Sequence, residues 1–239
     1  MGNICIIPAR GGSKRIPRKN IKHFLGKPII AYSIEAALKS ELFDEVMVST
    51  DDSDIAEIAK KYGAKVPFLR TEKNSNDFAT TYDVIEEVIL KYKTLGLYFE
   101  HTCCLYSCAP FATKDKLIES FKFMLDNNYN CVFPVMAFGF PVQRALKLNN
   151  DKKISFFYPE YYLSRSQDLI PSYHDAGQFY WIETENCIIE KSIVTNNTGS
   201  IIISEIEGQD IDNEIDWKLA ELKYELFVQY CVIKINKIN

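Results

Sequence analysis

The chain has 239 residues, 47% of them hydrophobic and 25% charged, with a formal net charge of −4 at pH 7. That balance is globular, excludes collagen-like and disordered classes, and supports a large core without disulfide staples. No run reaches the roughly 18 apolar residues of a membrane helix, no leader-like segment opens the chain, and the seven cysteines contain no Cys-x-x-Cys pair, so a reduced, cytoplasmic protein with no membrane partner is expected.

Ile4, Cys5, Ile6 and Ile7 predict a buried first strand ending at Pro8. A loop rich in glycine and cations runs to Lys27, and Pro28 suits the first turn of a helix that reaches Ser40. Residues 46–48 predict a second strand, and Ser53 is the expected cap of a helix over 54–62 that stops at Gly63. Residues 65–69 predict a third strand, and Val84, Ile85, Val88, Ile89 and Tyr92 a helix. Residues 97–105 predict a fourth strand, and Leu117, Phe121, Met124 and Leu125 another helix. This alternation is that of an α/β protein with a mostly parallel sheet and helices on both faces, whose ligand sites gather at the C-terminal strand edges. The second half is less regular. Strands are expected at 131–135, 143–148, 178–182 and 200–204, an aromatic loop at 156–162, and an amphipathic helix over 215–227. No repeat or linker is visible, so the expectation is one domain over 1–239 with an arm at about 138–175.

The charge is uneven. Residues 1–34 carry seven cations and no acid, whereas the other 205 residues carry 21 cations against 32 acids. A basic block on an acidic protein points to a local anion site and not to a nucleic-acid surface, because no groove-reading motif accompanies it. The block centres on Pro8-Ala9-Arg10-Gly11-Gly12-Ser13-Lys14-Arg15-Ile16-Pro17-Arg18-Lys19-Asn20. Its glycines let backbone N–H groups approach an anion, and its cations suit phosphates. Neither a Walker loop nor a dinucleotide fingerprint is present, which disfavours P-loop kinases and dehydrogenases.

Asp210 and Asp212 alternate on an extended segment, so both carboxylates can face one magnesium or manganese ion. The same acidic stretch also suits a helix start, with Asp212 or Asn213 as cap and Glu214 and Asp216 in the first turn. The two readings coexist if Asp210 and Asp212 bind metal while Asn213 caps. A phosphate loop and a metal-type carboxylate pair on an α/β sheet imply nucleotide chemistry driven by positioning and electrostatics. Residues 164–169 and 174–181 mix polar donors with aromatics, as a polyol site does. No nucleophile elbow accompanies His174 and Asp175, and Trp181 and the cysteines at 103, 104 and 108 read as core.

The motif from Ile7 to Lys14, with Pro17, Lys19 and Asn20, resembles the N-terminal signature of the cytidylyltransferases that activate nine-carbon acidic sugars. Within that family the segments 15–22, 164–169, 174–181 and 209–224 resemble the branch acting on pseudaminic acid, and the likeness runs from Ile4 to about Tyr224. The resemblance implies a Rossmann-like nucleotidyltransferase fold, CTP and an acidic nine-carbon sugar as partners, magnesium (or manganese) as cofactor, and a homodimer joined through the 138–175 arm. It implies that Ala9, Arg10, Gly11, Gly12, Ser13, Lys19 and Asn20 form the CTP loop, with Arg10 and Lys19 catalytic. Arg70 and Ala79 would flank the cytosine, Asp210 and Asp212 hold the metal, and Tyr106, Arg165, Gln167, His174 and Tyr180 face the sugar. Sialic acid enzymes often carry Gln-Pro-Thr-Ser-Pro and Arg-Pro-Asn-Gly where this chain reads Tyr106-Ser107-Cys108-Ala109-Pro110 and His174-Asp175-Ala176-Gly177. Both departures fall on the side expected to read the sugar.

Overall fold

The computed structural model describes residues 2–236, with side chains through Tyr230. In chain order the elements are β1 (Gly2–Pro8), β2 (His23–Phe24), β3 (Lys27–Pro28), α1 (Ile29–Ser40), β4 (Glu45–Ser49), α2 (Ser53–Lys61), α3 (Thr81–Thr94), β5 (Phe99–Leu105) and α4 (Lys114–Asp126). They continue with β6 (Cys131–Ala137), β7 (Leu146–Leu148), β8 (Ile154–Phe156), β9 (Tyr173–Asp175), β10 (Phe179–Glu183), α5 (Thr184–Glu190), β11 (Thr198–Ile203) and α6 (Glu214–Asn236).

The main sheet has the order β11-β6-β10-β5-β1-β4, with β9 also paired to β6. β1 lies parallel to both β4 and β5, and β11 parallel to β6. β10 is the exception: it runs antiparallel between β5 and β6, with Tyr180 opposite Cys104 and Trp181 opposite Val132. The mostly parallel α/β sheet expected from the alternation is therefore present, with one reversed strand joining its two halves.

The sheet is buried on both sides, as parallel sheets are. On β1 the period of two divides the apolar run. Cys5 and Ile7 pack with Ile30 and Ile34 of α1, Ile55 of α2 and Leu117 of α4. Ile4 and Ile6 pack on the opposite face with Ile85, Val88 and Tyr92 of α3 and Cys187 of α5. Trp181 lies in the first layer, stacked on Phe121 at 4.4 Å and Phe43 at 5.0 Å, and Cys103 and Cys104 are fully buried, so the core readings of these residues hold. A third cluster joins Ile16, Phe24 and Ile29 to Ile211, Trp217 and Ala220. It pins the basic loop against the start of α6.

Three local expectations change. Residues 65–69 form no strand: Lys65 makes one bridge to Met47 beside the sheet-edge strand β4, and Pro67, lacking an N–H, cannot extend the ladder. The cap of α2 is Asp52, whose carboxylate accepts from the Ile55 N–H at 3.0 Å, so the helix begins at Ser53. The segment 143–148 divides into a 3-10 turn over Val142–Arg144 and the short β7, which pairs with β8 as a hairpin. α5 and β9 were not anticipated from the sequence. The segment from 137 to 175 carries no buried residue. It leaves the sheet at β6 and returns where Phe138 N–H donates to Ser172 O and β9 pairs with β6. Among the described residues no helix is long and apolar enough to cross a membrane.

Candidate functional site

The C-terminal ends of β1 and β5 open into a cleft of about 280 Å³. Its lining includes Arg10, Ser13, Lys14, Arg15 and Lys19 from the basic loop, Arg70 from the segment between β4 and α3, Tyr106 and Cys108 from the end of β5, and Asp210 and Asp212 from the segment before α6. The loop and the acidic segment, some 190 residues apart in sequence, are cross-linked by polar contacts. Arg15 pairs with the Asp212 carboxylate at 2.7 Å, Lys19 Nζ donates to Ile211 O at 2.7 Å, and Lys22 pairs with Glu214 at 2.6 Å. Cations and carboxylates thus share one cleft, as the handling of a metal-bound polyphosphate requires.

The cations are already partnered. Arg10 Nη1 donates to Asp77 Oδ1 at 2.7 Å and to Asn76 O at 3.1 Å, and Lys14 bonds the other oxygen of Asp77. These two cations hold the Asp77 carboxyl below the usual carboxylate range. Arg18, although part of the same motif, turns to Asp52 and Asp54 from a left-handed backbone at φ 56°. Arg70 is buried, and its guanidinium binds Ser49 through Nε–H to Oγ at 3.0 Å and through Nη2 to the carbonyl; burial lowers its pKa.

Asn20 acts as an internal tie. Its amide donates to Arg10 O at 2.8 Å, and its carbonyl oxygen accepts from Ser107 Oγ at 2.8 Å and Cys108 Sγ at 3.3 Å. It joins the basic loop to the end of β5, and it is buried while lining the cleft. Ala9 is buried and donates its N–H to Ser49 O. Gly11 donates its N–H to Asp51 Oδ1 at 2.9 Å, and a Cβ there would stand 2.7 Å from Asp52 Oδ2. Close approach of this loop to a carboxylate is what the glycine permits. Gly12 is exposed with open space beside it. Ala79 lies in the turn built by Asn76, whose side chain accepts from the N–H groups of Phe78 and Ala79. Ala9, Gly11, Gly12 and Ala79 stand outside the cleft lining.

Asp210 lines the cleft, and partial desolvation there, with the neighbouring charge of Asp212, pushes its pKa up. Two hard-oxygen carboxylates repelling each other in one cleft fit a divalent cation, which would relieve both penalties. The helix-cap reading is also present: Asn213 Oδ1 accepts from Ile215 N at 2.8 Å and Asp216 N at 3.1 Å, while Asp216 accepts from the N–H groups of Asp212 and Asn213. Asn213 caps, and Asp210 and Asp212 remain turned to the cleft. Among the described residues no cluster of three or more His, Cys, Asp or Glu side chains has metal-site geometry.

A second cavity of about 350 Å³ adjoins the first and shares Asp210 with it. His174, Asp175, Phe138, Gln209 and Lys223 are among its lining residues. His174 Nδ1 lies 2.9 Å from Asp175 O, and its ring packs on Phe138. Tyr180 sits beneath, donating its hydroxyl to Asp175 and packing edge-on against Tyr106 at 5.6 Å. Burial, then the adjacent Tyr106 and Asp175, raise its pKa. Tyr180, Arg165 and Gln167 line neither cavity; Tyr180 is buried, and Arg165 pairs with Asp168 on an exposed segment. The sequence reading missed Asp77, Asp51 and Asp175 as partners of site groups. Asp51 carried a signal, since it follows a strand end, whereas Asp77 lies in a polar stretch whose pairing is visible only in space.

A family model described as Cytidylyltransferase matches residues 4–205. The chain is 43% identical over 226 residues to a pseudaminic acid cytidylyltransferase of Campylobacter jejuni, covering 95% of this chain and 97% of that protein. It is 32% identical to a CMP-N,N'-diacetyllegionaminic acid synthase of Legionella pneumophila, covering 93% and 96%. Among solved structures, a CMP:2-keto-3-deoxy-manno-octonic acid synthetase complexed with CTP superposes with a TM-score of 0.69 at 18% identity, covering 96% of this chain and all of that one.

Proposed function

Because this chain belongs to the cytidylyltransferase family, we propose that it joins CTP to pseudaminic acid, giving CMP-pseudaminic acid and pyrophosphate. The observation that carries the substrate is the 43% identity to a pseudaminic acid cytidylyltransferase across 95% of the chain. The cleft supports the chemistry, because its cations and carboxylates are placed as a triphosphate reaction needs.

In this reading the anomeric C2 hydroxyl oxygen of the sugar attacks the α-phosphorus of CTP, its proton is released to solvent, and the bond to the bridging oxygen of pyrophosphate breaks. Arg10 and Lys19 spread the charge that develops on the phosphates, and Ser13 and Lys14 extend the cradle. Asp210 and Asp212 would hold magnesium, or manganese, whose positive charge lowers the cost of the departing pyrophosphate. Arg70 fixes the base-side wall through its Ser49 bonds. Tyr106 and His174 border the sugar side, at the positions where the sequence departs from sialic acid enzymes, and Tyr180 supports that side through its bond to Asp175. Arg165 and Gln167, on the arm, belong to the dimer part of the proposal and would serve the partner's site.

The test is pyrophosphate release from CTP and magnesium with pseudaminate, legionaminate and N-acetylneuraminate as parallel acceptors. Release with pseudaminate alone is expected. Release with another acid would keep the cytidylyltransferase and replace the sugar, and CTP binding without release for any acceptor would make the chain a nucleotide-binding relative without turnover.

A further inference from the structure

α6 carries two apolar faces. Trp217, Ala220 and Phe227 are buried against the body of the protein. On the far side Ile215, Leu219, Leu222 and Leu226 are exposed, Ile215 at 72% and Leu222 at 60%. These four are spaced alternately four and three residues apart, which is the seam of a two-helix coiled coil and not the pattern of a solvent-facing surface. The amphipathic helix expected from the sequence is therefore apolar on both sides, and its second stripe points away from the core.

We propose that this stripe pairs antiparallel with the same stripe of a second copy of the chain. The charges beside the seam select both occupant and register. With Leu219 facing the partner's Leu222, and Ile215 the partner's Leu226, the exposed Lys218 meets the partner's Glu225 on one flank, twice by symmetry. On the other flank Asp216 falls opposite the partner's Lys223. These two also bond their own chain, at the Asn213 N–H and Gly208 O, so Lys218 and Glu225 are the discriminating pair. Sliding the partner one layer so that Leu222 faces Leu226 sets Glu225 against Glu225 and Lys223 against Lys223. A parallel pair sets Lys218 against Lys223. Both alternatives are penalised by like charges. Because the stripe lies opposite the buried face, the pairing places the two bodies on opposite sides of the helix pair. The surface is separate from the 138–175 arm and does not depend on the substrate reading.

The experiment is the mass of the full chain in solution, by sedimentation equilibrium, for wild type and surface variants. Leu222→Glu is expected to lower the mass from the wild-type assembly to the one that the arm alone makes. Lys218→Glu and Glu225→Lys, each alone, bring like charges together at two symmetric positions and should weaken association about tenfold. The double swap Lys218→Glu with Glu225→Lys restores the complementary pairs and should return association to the wild-type level, a recovery that neither misfolding nor coverage of the stripe by the partner's arm would produce. A monomeric wild type, a Leu222→Glu chain of unchanged mass, or a double swap no stronger than the single variants would overturn the proposal.

Discussion

Asp212 and Lys19 meet the cleft from opposite ends of the sequence, and their bonds show how the reaction would use them. Asp212 is tied by one oxygen to Arg15, which leaves the other free to turn to a cation. Asp212→Ala should remove most turnover while the thermal melt stays near wild type, and near-normal turnover at saturating magnesium would sink the metal assignment. Lys19 spends one proton on Ile211 O and keeps two for phosphate oxygens. Lys19→Ala is expected to lower kcat more than it raises the KM for CTP, since its charge counts most as pyrophosphate departs. A change in KM alone would make it a binding residue. Asp77 works against both by holding Arg10 and Lys14 in a carboxylate's grip. Asp77→Asn removes that competition, so the KM for CTP should fall several-fold at low salt; a rise would mean that Asp77 orients Arg10 for the nucleotide.

At the scale of the element, the segment between β4 and α3 carries both Arg70 and Asp77 and has no strand or long helix of its own. It is held from α3. Glu87 accepts from Thr71 N–H and hydroxyl, from Asn74 Nδ2 and from Lys91, while Thr80 and Asp83 form a reciprocal cap at the helix start. Burial alone would raise the Glu87 pKa, but the bonds from Lys91, Thr71 and Asn74 outweigh it and bring it down from 4.5 to about 2. The folded protein therefore binds this proton less readily than the unfolded chain does. Its contribution is complete above the ordinary glutamate pKa and is lost as pH falls toward the folded value. Glu87→Gln should flatten the acid limb of stability between roughly pH 5 and pH 2 and lower neutral stability by on the order of 2 kcal/mol. Urea unfolding across that range measures both, and an unaltered acid limb would remove Glu87 from the account.

For the whole molecule, β10 is the strand on which the two halves depend. It is antiparallel between β5 and β6, and its Trp181 is enclosed by Phe43 of the α1–β4 connection and Phe121 of α4, with its indole N–H donated to Leu117 O. Trp181→Ala should cost about 3–5 kcal/mol and lower the melting temperature by roughly 10 °C. A shift of only a degree or two would mean that the halves hold together without this packing. The same strand carries the buried Tyr180, whose hydroxyl bonds Asp175 on the wall of the second cavity, so the residue that closes the sheet lies next to one that props the proposed sugar site from behind.

Much of this was legible in the sequence, for reasons that are local. Side-chain periodicity repeats within one element, so the apolar run of β1, the helices α1, α3 and α4, and the α/β class could be read directly. The basic loop and the Asp210–Asp212 pair were legible because charge and spacing are properties of short segments. What only the tertiary structure decided was non-local. The reversal of β10 depends on which strands it pairs with, and Pro67 stopped a strand whose composition favoured one. Tertiary contacts also sorted the cations of a single motif, sending Arg18 to Asp52, Arg10 and Lys14 to Asp77, and Arg15 to Asp212. They made Asn20 a brace between loop and strand. A residue's chemical type is fixed by the chain, but its partner is fixed by the folding of distant segments onto the same strand edge.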